Sequence, residues 1–257
     1  MRWTFFFVMP AVVSFFWPLM TLMRKRQVLT AQWIMLATQV LTGLAIFFYM
    51  GEIAARYIYN CIFVSLAALC VPMYYMFVCS LTSLEGIKRE DRWAFIPSFL
   101  FLLMYFILVF ILRTDRFQLY MDNVVGLGNT DLRPSKAYSL MVFVGYYGFP
   151  LFMAVQSLVL FVVGLVKLHR YHSLIAYVEG KNLAEVRKMD RPVVIFTYSV
   201  VPVALVFVLV PQHILTSSPY IVIPLAVVVS VLQFLVGFYA YRLNYSAEQL
   251  AKNSQKS

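Results

Sequence analysis

Two histidines, His169 and His172, have the spacing that most directly suggests chemistry in this chain. Residues at positions i and i+3 of a helix share a face, so the two imidazoles could bind one metal ion together. No third ligand is obvious beside them, and Glu179 is the nearest acid. The alternative is that both belong to a basic segment at the membrane interface. We favour that alternative, so the sequence predicts neither a metal site nor a cofactor.

Neutral polar side chains suggest a second kind of site, because several of them interrupt long apolar stretches. Buried amides and hydroxyls need hydrogen-bond partners. Those partners are either neighbouring helices or a ligand held in a pocket. A ligand pocket in the outer half of a helical bundle would be lined by Asn60, Tyr146 and Tyr147, with Gln156 as a further candidate. The residues alone leave both alternatives open.

Charged side chains are confined to predicted loops and to the ends of the apolar stretches. Proton- or ion-coupled transporters usually keep ionisable groups inside the membrane, so this pattern argues against that class. The last apolar stretch has no lysine to form a retinal Schiff base, and no HExxH motif is present. No pair of acids is placed at membrane depth for an intramembrane protease. We therefore expect that the protein is not an enzyme.

The three cysteines, Cys61, Cys70 and Cys79, follow one another at steps of nine residues. Nine residues turn a helix by about 180°, so the middle thiol faces away from the other two. The cysteines cannot pair with one another along this helix. We expect them to act as small apolar side chains.

The elements that must position these residues are membrane helices. The chain has 257 residues, of which 62% are hydrophobic and 12% charged, whereas soluble domains are nearer half apolar and a quarter charged. A helix needs about 20 apolar residues to cross a bilayer. The sequence predicts an all-α polytopic membrane protein, with seven transmembrane helices in residues 1–241 and a short cytoplasmic tail in residues 242–257. The expected spans are residues 3–23, 29–50, 57–81, 93–112, 137–166, 192–210 and 219–241.

The distribution of basic residues predicts the orientation of these spans. If the amino terminus is outside, 15 of the 21 lysines and arginines fall on the cytoplasmic side. Bases collect on that side of membrane proteins, so we expect an outside amino terminus and a cytoplasmic carboxyl terminus. The net charge of +10 then has anionic lipid head groups of the bilayer as its natural counter-ions. We expect no direct binding of nucleic acid.

Two predicted loops are long enough to contribute to function. The outer loop, residues 114–136, is either a solvated connector or a lid that contacts a ligand. The inner loop, residues 167–191, mixes apolar and charged residues and could lie as an amphipathic helix on the membrane face. Candidates for the output of a signal are five basic residues of this inner loop: His169, Arg170, His172, Arg187 and Lys188.

The hairpin between the third and fourth spans has the sequence VPMYY at 71–75, SLTS at 80–83, a basic turn, and WAFIP at 93–97. It resembles the membrane region of bacterial AraC-type transcriptional regulators with multi-helix sensor domains, and related regions of histidine kinases. The segment HRYHSLI at 169–175 is similar to their long inner loop, and the basic turn at 24–26 to their first hairpin. The resemblance implies a seven-helix sensor that signals to a cytoplasmic effector. The helix-turn-helix or kinase domain of that family has no counterpart here.

These observations predict a sensory protein of the bacterial cytoplasmic membrane, in which a stimulus biases helix packing. We expect the output to pass to a cytoplasmic effector protein or within a homo-oligomer, or the chain to be the sensor part of a longer regulator. Two other classes remain open, a small-solute transporter and a structural membrane subunit. Uptake of a labelled solute would identify the first, and an obligate stable partner the second.

Overall fold

The computed structural model describes residues 8–23, 30–49, 56–83, 87–131, 134–179 and 218–242, and it is helical with no strand within these ranges. Two stretches of π-helix and one 3-10 helix are continuous with α-helices. In chain order the elements are α1 (Val8–Leu22), α2 (Thr30–Tyr49), α3 (Arg56–Thr82), the 3-10 helix (Arg89–Phe95), α4 (Ile96–Tyr120), the first π segment (Met121–Val125), α5 (Lys136–Met141), the second π segment (Val142–Gly148), α6 (Phe149–Glu179) and α7 (Pro219–Arg242).

Five of the helical stretches are long and apolar enough to cross a membrane, which indicates a multi-pass membrane protein. They are Thr30–Tyr49, Ile58–Thr82, Arg89–Val125, Lys136–Tyr171 and Pro219–Tyr241. The first expected span is found as α1, an apolar helix of 15 residues. The sixth expected span, residues 192–210, lies outside the described part of the chain. The prediction of an all-α membrane protein is therefore confirmed, whereas the number seven and the orientation stay predictions.

The helices pack in a bundle in which α2 lies against α3, α1 against α2 and α7, and α6 against α3. Two glutamines of α2 show how side-chain donors are satisfied between apolar helices. The side-chain amide of Gln32 donates to the carbonyl of Ala240 (3.0 Å), and that of Gln39 donates to the carbonyl of Gln233 (3.0 Å). A buried amide needs such partners because no water is available to it. The helix-contact alternative therefore accounts for these donors.

The contact between α1 and α7 depends on a glycine. An added Cβ at Gly237 would lie 2.2 to 2.5 Å from three atoms of Trp17, so the indole occupies the space where any other residue would place its side chain. The indole also packs against the rings of Phe234 and Phe238, at centroid distances of 5.2 and 5.6 Å. A small residue here lets the helix backbones approach closely, as is common between membrane helices.

The helical stretch that begins with the 3-10 helix extends further than the sequence predicts. The expected span ended at residue 112, but helical structure continues after a break at Arg113, which has φ 59° and ψ 166°. Residues 114–125, here called the cap segment, pack back onto the bundle. Phe117, Tyr120 and Val124 are buried there, and their spacing of three and four residues places them on one face. The first part of the expected outer loop is thus a packed helix and not a solvated connector.

The run from α5 to α6 also exceeds the predicted span of 137–166, since α6 continues to Glu179. Pro150 lies just after the second π segment, in the first turn of α6. Proline lacks an N–H donor and its ring clashes with the carbonyl four residues earlier. The N–H of Phe149 instead bonds the carbonyl of Val144, five residues back. The helix is thus widened just before Pro150, where proline cannot supply the N–H that a regular α-helix would use.

Candidate functional site

Two groups of polar side chains lie near opposite ends of the bundle. We call the end where α3 meets the 3-10 helix the hairpin end, and the opposite end, covered by the cap segment, the cap end. The first group, here called the tyrosine cluster, is near the cap end. It consists of Tyr105, Tyr120, Tyr138 and Tyr146, all of which belong to or pack against the largest apolar core.

Asn60 of α3 is tied to this cluster. The hydroxyl of Tyr105 on α4 donates to Oδ1 of Asn60 at 2.7 Å. The bond joins two helices, and it lies beside the apolar core because Tyr105 is buried while Asn60 is half-buried. The structure therefore places the predicted site residue Asn60 in contact with a partner that sequence reasoning did not name. The hydrogen bond satisfies the amide oxygen without a ligand.

The cap segment contacts the tyrosine cluster through Tyr120. Its ring packs edge-on against Tyr138, with ring centroids 6.3 Å apart, and its hydroxyl approaches Gly145 so closely that an added Cβ would be only 2.5 Å away. Tyr138 is fully buried, and its hydroxyl has no hydrogen-bond partner within the described ranges. Buried hydroxyls without partners are costly. This orphaned hydroxyl is the feature of the cluster best suited to meet a polar ligand.

The two other tyrosines predicted for the pocket lie differently from each other. Tyr146 is half-buried and packs against the core that holds the cluster, whereas Tyr147 is 53% exposed on the outside of the helix. Their rings touch edge-to-face at 5.0 Å. Of the predicted set, Tyr146 therefore belongs to the tyrosine cluster and Asn60 is hydrogen-bonded to it, whereas the side chain of Tyr147 points away from it.

Gln156 lies apart from the cluster, nearer the hairpin end. Its side-chain amide donates to the hydroxyl of Ser98 (2.7 Å) and to the carbonyl of Ala94 (3.3 Å). Ser98 in turn donates to the carbonyl of Ala68 (2.7 Å). This chain of bonds links α6, α4 and α3. The oxygen Oε1 of Gln156 is buried without a partner among the described residues.

The second polar group is an ion pair between Lys167 of α6 and Asp91 of the 3-10 helix, here called the hairpin ion pair. Only 9% of the Asp91 side chain and 30% of the Lys167 side chain are exposed. The other carboxylate oxygen of Asp91 accepts from the backbone N–H of Lys88 (3.3 Å), which closes the turn that begins the 3-10 helix. A buried carboxylate is tolerated because both its charge and its lone pairs are matched.

Side chains of α3 complete the surroundings of the lysine. The ammonium of Lys167 lies 3.3 Å from the thiol sulfur of Cys79 and 5.5 Å from the ring centre of Tyr75. The ring of Tyr75 packs edge-on against Trp93, at 6.0 Å. A cation over an aromatic face is stabilised by the ring quadrupole. Cys79 thus fills apolar space, as expected, and also contacts a charged group. The ion pair and its neighbours join α3, the 3-10 helix and α6.

The residues predicted for signal output are described only in part. His169 and Arg170 are exposed on α6, within one turn of Lys167. The backbone of α6 includes position 172, but the side chain of His172 is not described, and Arg187 and Lys188 lie outside the described ranges. Within those ranges, no group of three or more His, Cys, Asp or Glu side chains could hold a metal ion.

Comparisons of the chain with protein-family models, with curated proteins and with solved structures gave no match. The similarity to membrane regions of AraC-type regulators therefore stays a prediction from the sequence.

Proposed function

We propose that this protein is a membrane sensor, in which a stimulus at the cap end changes helix packing and the hairpin end passes the change to a cytoplasmic partner. One observation supports this most. The continuous helical run from Lys136 to Glu179 meets the cap segment at Tyr138 and Gly145, and it carries Lys167 in the hairpin ion pair. From Gly145 to Lys167 is about 33 Å of helix at 1.5 Å per residue.

The second π segment is the element that we propose to switch. π-helical turns are uncommon and frequently occur at functional sites. Here the wide turn places Gly145 under the hydroxyl of Tyr120. A stimulus that lifts Tyr120 would remove this contact and allow Val142–Gly148 to rewind as α-helix. Rewinding would rotate α6 and shift the helix between two packed arrangements, which is a common form of conformational switching.

The output in this proposal begins at the hairpin ion pair. Rotation of α6 would move Lys167 relative to Asp91, and the exposed residues His169 and Arg170 on the same turn would move with it. With the amino terminus outside, as the distribution of bases predicts, this end faces the cytoplasm. A cytoplasmic effector protein, or a second copy of the chain, would read the movement. The proposed role requires no catalysis.

A fluorine label at position 170 tests the proposal. The labelled protein would carry Arg170→Cys in a background with Cys61→Ala, Cys70→Ala and Cys79→Ser. In lipid nanodiscs, we expect Gly145→Ala to shift the fluorine resonance or the balance between two resonances, because the new Cβ displaces Tyr120.

The matched control for this experiment is Gly164→Ala. A Cβ at Gly164 meets only Val78, at 3.8 Å, which is an ordinary contact. The control site is closer to the label than Gly145 is, so an unchanged spectrum excludes a trivial local effect. An unaltered fluorine spectrum in Gly145→Ala, with helical content intact, would refute the sensor proposal.

The hairpin ion pair favours one alternative function, a proton- or ion-coupled transporter. The sequence argued against this class because no ionisable group was evident inside the apolar stretches. Ionisable groups within or close to the membrane often mark the sites that couple transport to a proton or an ion. The side chain of Asp91 is buried and is therefore a candidate for such a site. If purified protein in liposomes carries a solute or protons, and Asp91→Asn abolishes that flux, the transporter replaces the sensor as the better account.

A further inference from the structure

We propose that a groove between α4 and α6 binds one acyl chain of an anionic phospholipid, with the headgroup held by arginines of the 3-10 helix. The groove opens on the outside of the bundle and has a volume of about 480 Å³. This inference does not depend on the sensor proposal. The residues that define its walls are Trp93, Pro97 and Met104 on one side, and Phe143, Val155 and Val159 on the other.

The groove is suited to hydrocarbon. Its floor includes Phe101 and Phe152, whose rings stack at a centroid distance of 4.5 Å and an interplanar angle of 7°. Apolar side chains that no other part of the described protein covers form its rims, among them Val155 and Val159. In a membrane these side chains face lipid, and a concave apolar surface there gains close packing when a chain fills it.

The length of the groove matches one leaflet of a bilayer. Trp93 lies near its hairpin end and Met104 is eleven residues further along the same helical stretch. At 1.5 Å per residue this distance is about 16 Å. The hydrocarbon core of a bilayer is about 30 Å thick, so one leaflet contributes about 15 Å. A single acyl chain would thus run from the interface to the middle of the membrane.

Charge at the hairpin end favours an anionic headgroup. Arg89 and Arg92 are exposed beside Trp93, and neither takes part in an ion pair within the described ranges. Between them, Asp91 is buried and already paired with Lys167, which leaves Glu90 as the exposed acid of the 3-10 helix. Each base near a membrane surface favours anionic lipid by roughly fivefold. Within the 3-10 helix, the two arginines therefore outweigh the single exposed acid.

Trp93 is a native reporter of the groove, because it is 39% exposed and lines one wall. The protein would be placed in vesicles of dioleoyl phosphatidylcholine that contain increasing amounts of phosphatidylglycerol brominated on its acyl chains. Brominated phosphatidylcholine serves as the parallel series. The contribution of Trp93 is the difference between the native protein and Trp93→Phe. We expect brominated phosphatidylglycerol to reach half-maximal quenching of Trp93 at a lower lipid fraction than brominated phosphatidylcholine. The difference should be on the order of tenfold.

Two pairs of variants assign this preference to the site. The double variant Arg89→Gln/Arg92→Gln should remove most of the preference for phosphatidylglycerol, whereas Arg116→Gln, at the cap end, should leave it unchanged. Val159→Phe should weaken quenching by both lipids, because the phenylalanine ring would occupy the space of the acyl chain in the groove. Its neighbour Leu158 is exposed and outside the groove, so Leu158→Phe should have no effect.

Three results would overturn the proposal. The first is equal quenching of Trp93 by the two lipids. The second is a preference that survives the loss of both arginines. The third is no quenching by either lipid, which would mean that protein, such as a second copy of the chain, covers the groove. Circular dichroism of each variant checks that its helical content is intact.

Discussion

The two partners of the hairpin ion pair should differ in how much stability is lost when each is removed. Lys167→Met leaves the Asp91 carboxylate buried, with the backbone N–H of Lys88 as the remaining donor described near it. Asp91→Asn leaves the ammonium of Lys167 instead, on a longer and more exposed side chain. A lysine can extend its charged end toward water, but a buried aspartate has no such freedom.

The magnitudes follow from burial. Breaking a buried ion pair by removing one partner costs 3 to 5 kcal/mol when the other charge is left without compensation. Asp91 would be left buried and nearly without compensation, so we expect Lys167→Met to cost about 3 kcal/mol. Lys167 is 30% exposed, and we expect Asp91→Asn to cost about 1 kcal/mol. The double variant Asp91→Asn/Lys167→Met leaves no charge buried, so it should also cost only about 1 kcal/mol.

The measurement is equilibrium unfolding in mixed micelles, followed by circular dichroism. Arg170→Met is the matched control, because this residue lies one turn further along α6 and is exposed; its stability should be unchanged. If Asp91→Asn destabilised the protein as much as Lys167→Met, burial of the carboxylate would not be the cause. If the double variant lost the sum of the two single losses, the charges would not interact as the structure indicates.

Two further changes test packing elsewhere in the bundle. Gly237→Ala should cost about 1 to 3 kcal/mol, because its Cβ would overlap Trp17 and force α1 and α7 apart; an unchanged unfolding midpoint would contradict this close contact. Tyr105→Phe should cost about 1 kcal/mol, because it removes the donor to Oδ1 of the half-buried Asn60. The control Tyr220→Phe alters a residue that is 89% exposed, and a loss of stability as large as that of Tyr105→Phe would refute the reasoning.

The positions of several helices could be predicted from the sequence because apolar length is a local property. The expected spans 29–50 and 219–241 correspond to Thr30–Tyr49 and Pro219–Arg242. About 20 apolar residues are enough to predict a crossing helix whatever its neighbours are. The extension of α4 also had a local signal, the spacing of Phe117, Tyr120 and Val124. The charged residues around that spacing concealed it.

The hairpin ion pair could not be predicted in the same way. Asp91 and Lys167 are 76 positions apart in sequence. Asp91 precedes one apolar stretch and Lys167 follows another, and charged residues are common at both kinds of position. Only the packing of α3, α4 and α6 decides that the two groups meet. The same holds for Tyr105 and Asn60, because a pattern that marks polar residues in a helix does not reveal which neighbour faces them.

The packing of Tyr120 against Gly145 depends on the second π segment as well as on the approach of the cap segment. A proline such as Pro150 does not by itself reveal a widened helical turn. Proline indicates that a regular bond is lost, whereas the way in which the helix compensates depends on the surrounding contacts. The cluster is therefore the part of the candidate site that the sequence described least well.

The proposed sensor requires that the cap end and the hairpin end are coupled, and coupling between two sites acts in both directions. The most direct measurement is hydrogen–deuterium exchange of residues 114–125 in Lys167→Met, compared with Arg170→Met. We expect faster exchange in the cap segment of Lys167→Met, although the substitution lies about 33 Å of helix from Gly145. Unchanged exchange in the cap segment, together with faster exchange at the hairpin end, would contradict the claim.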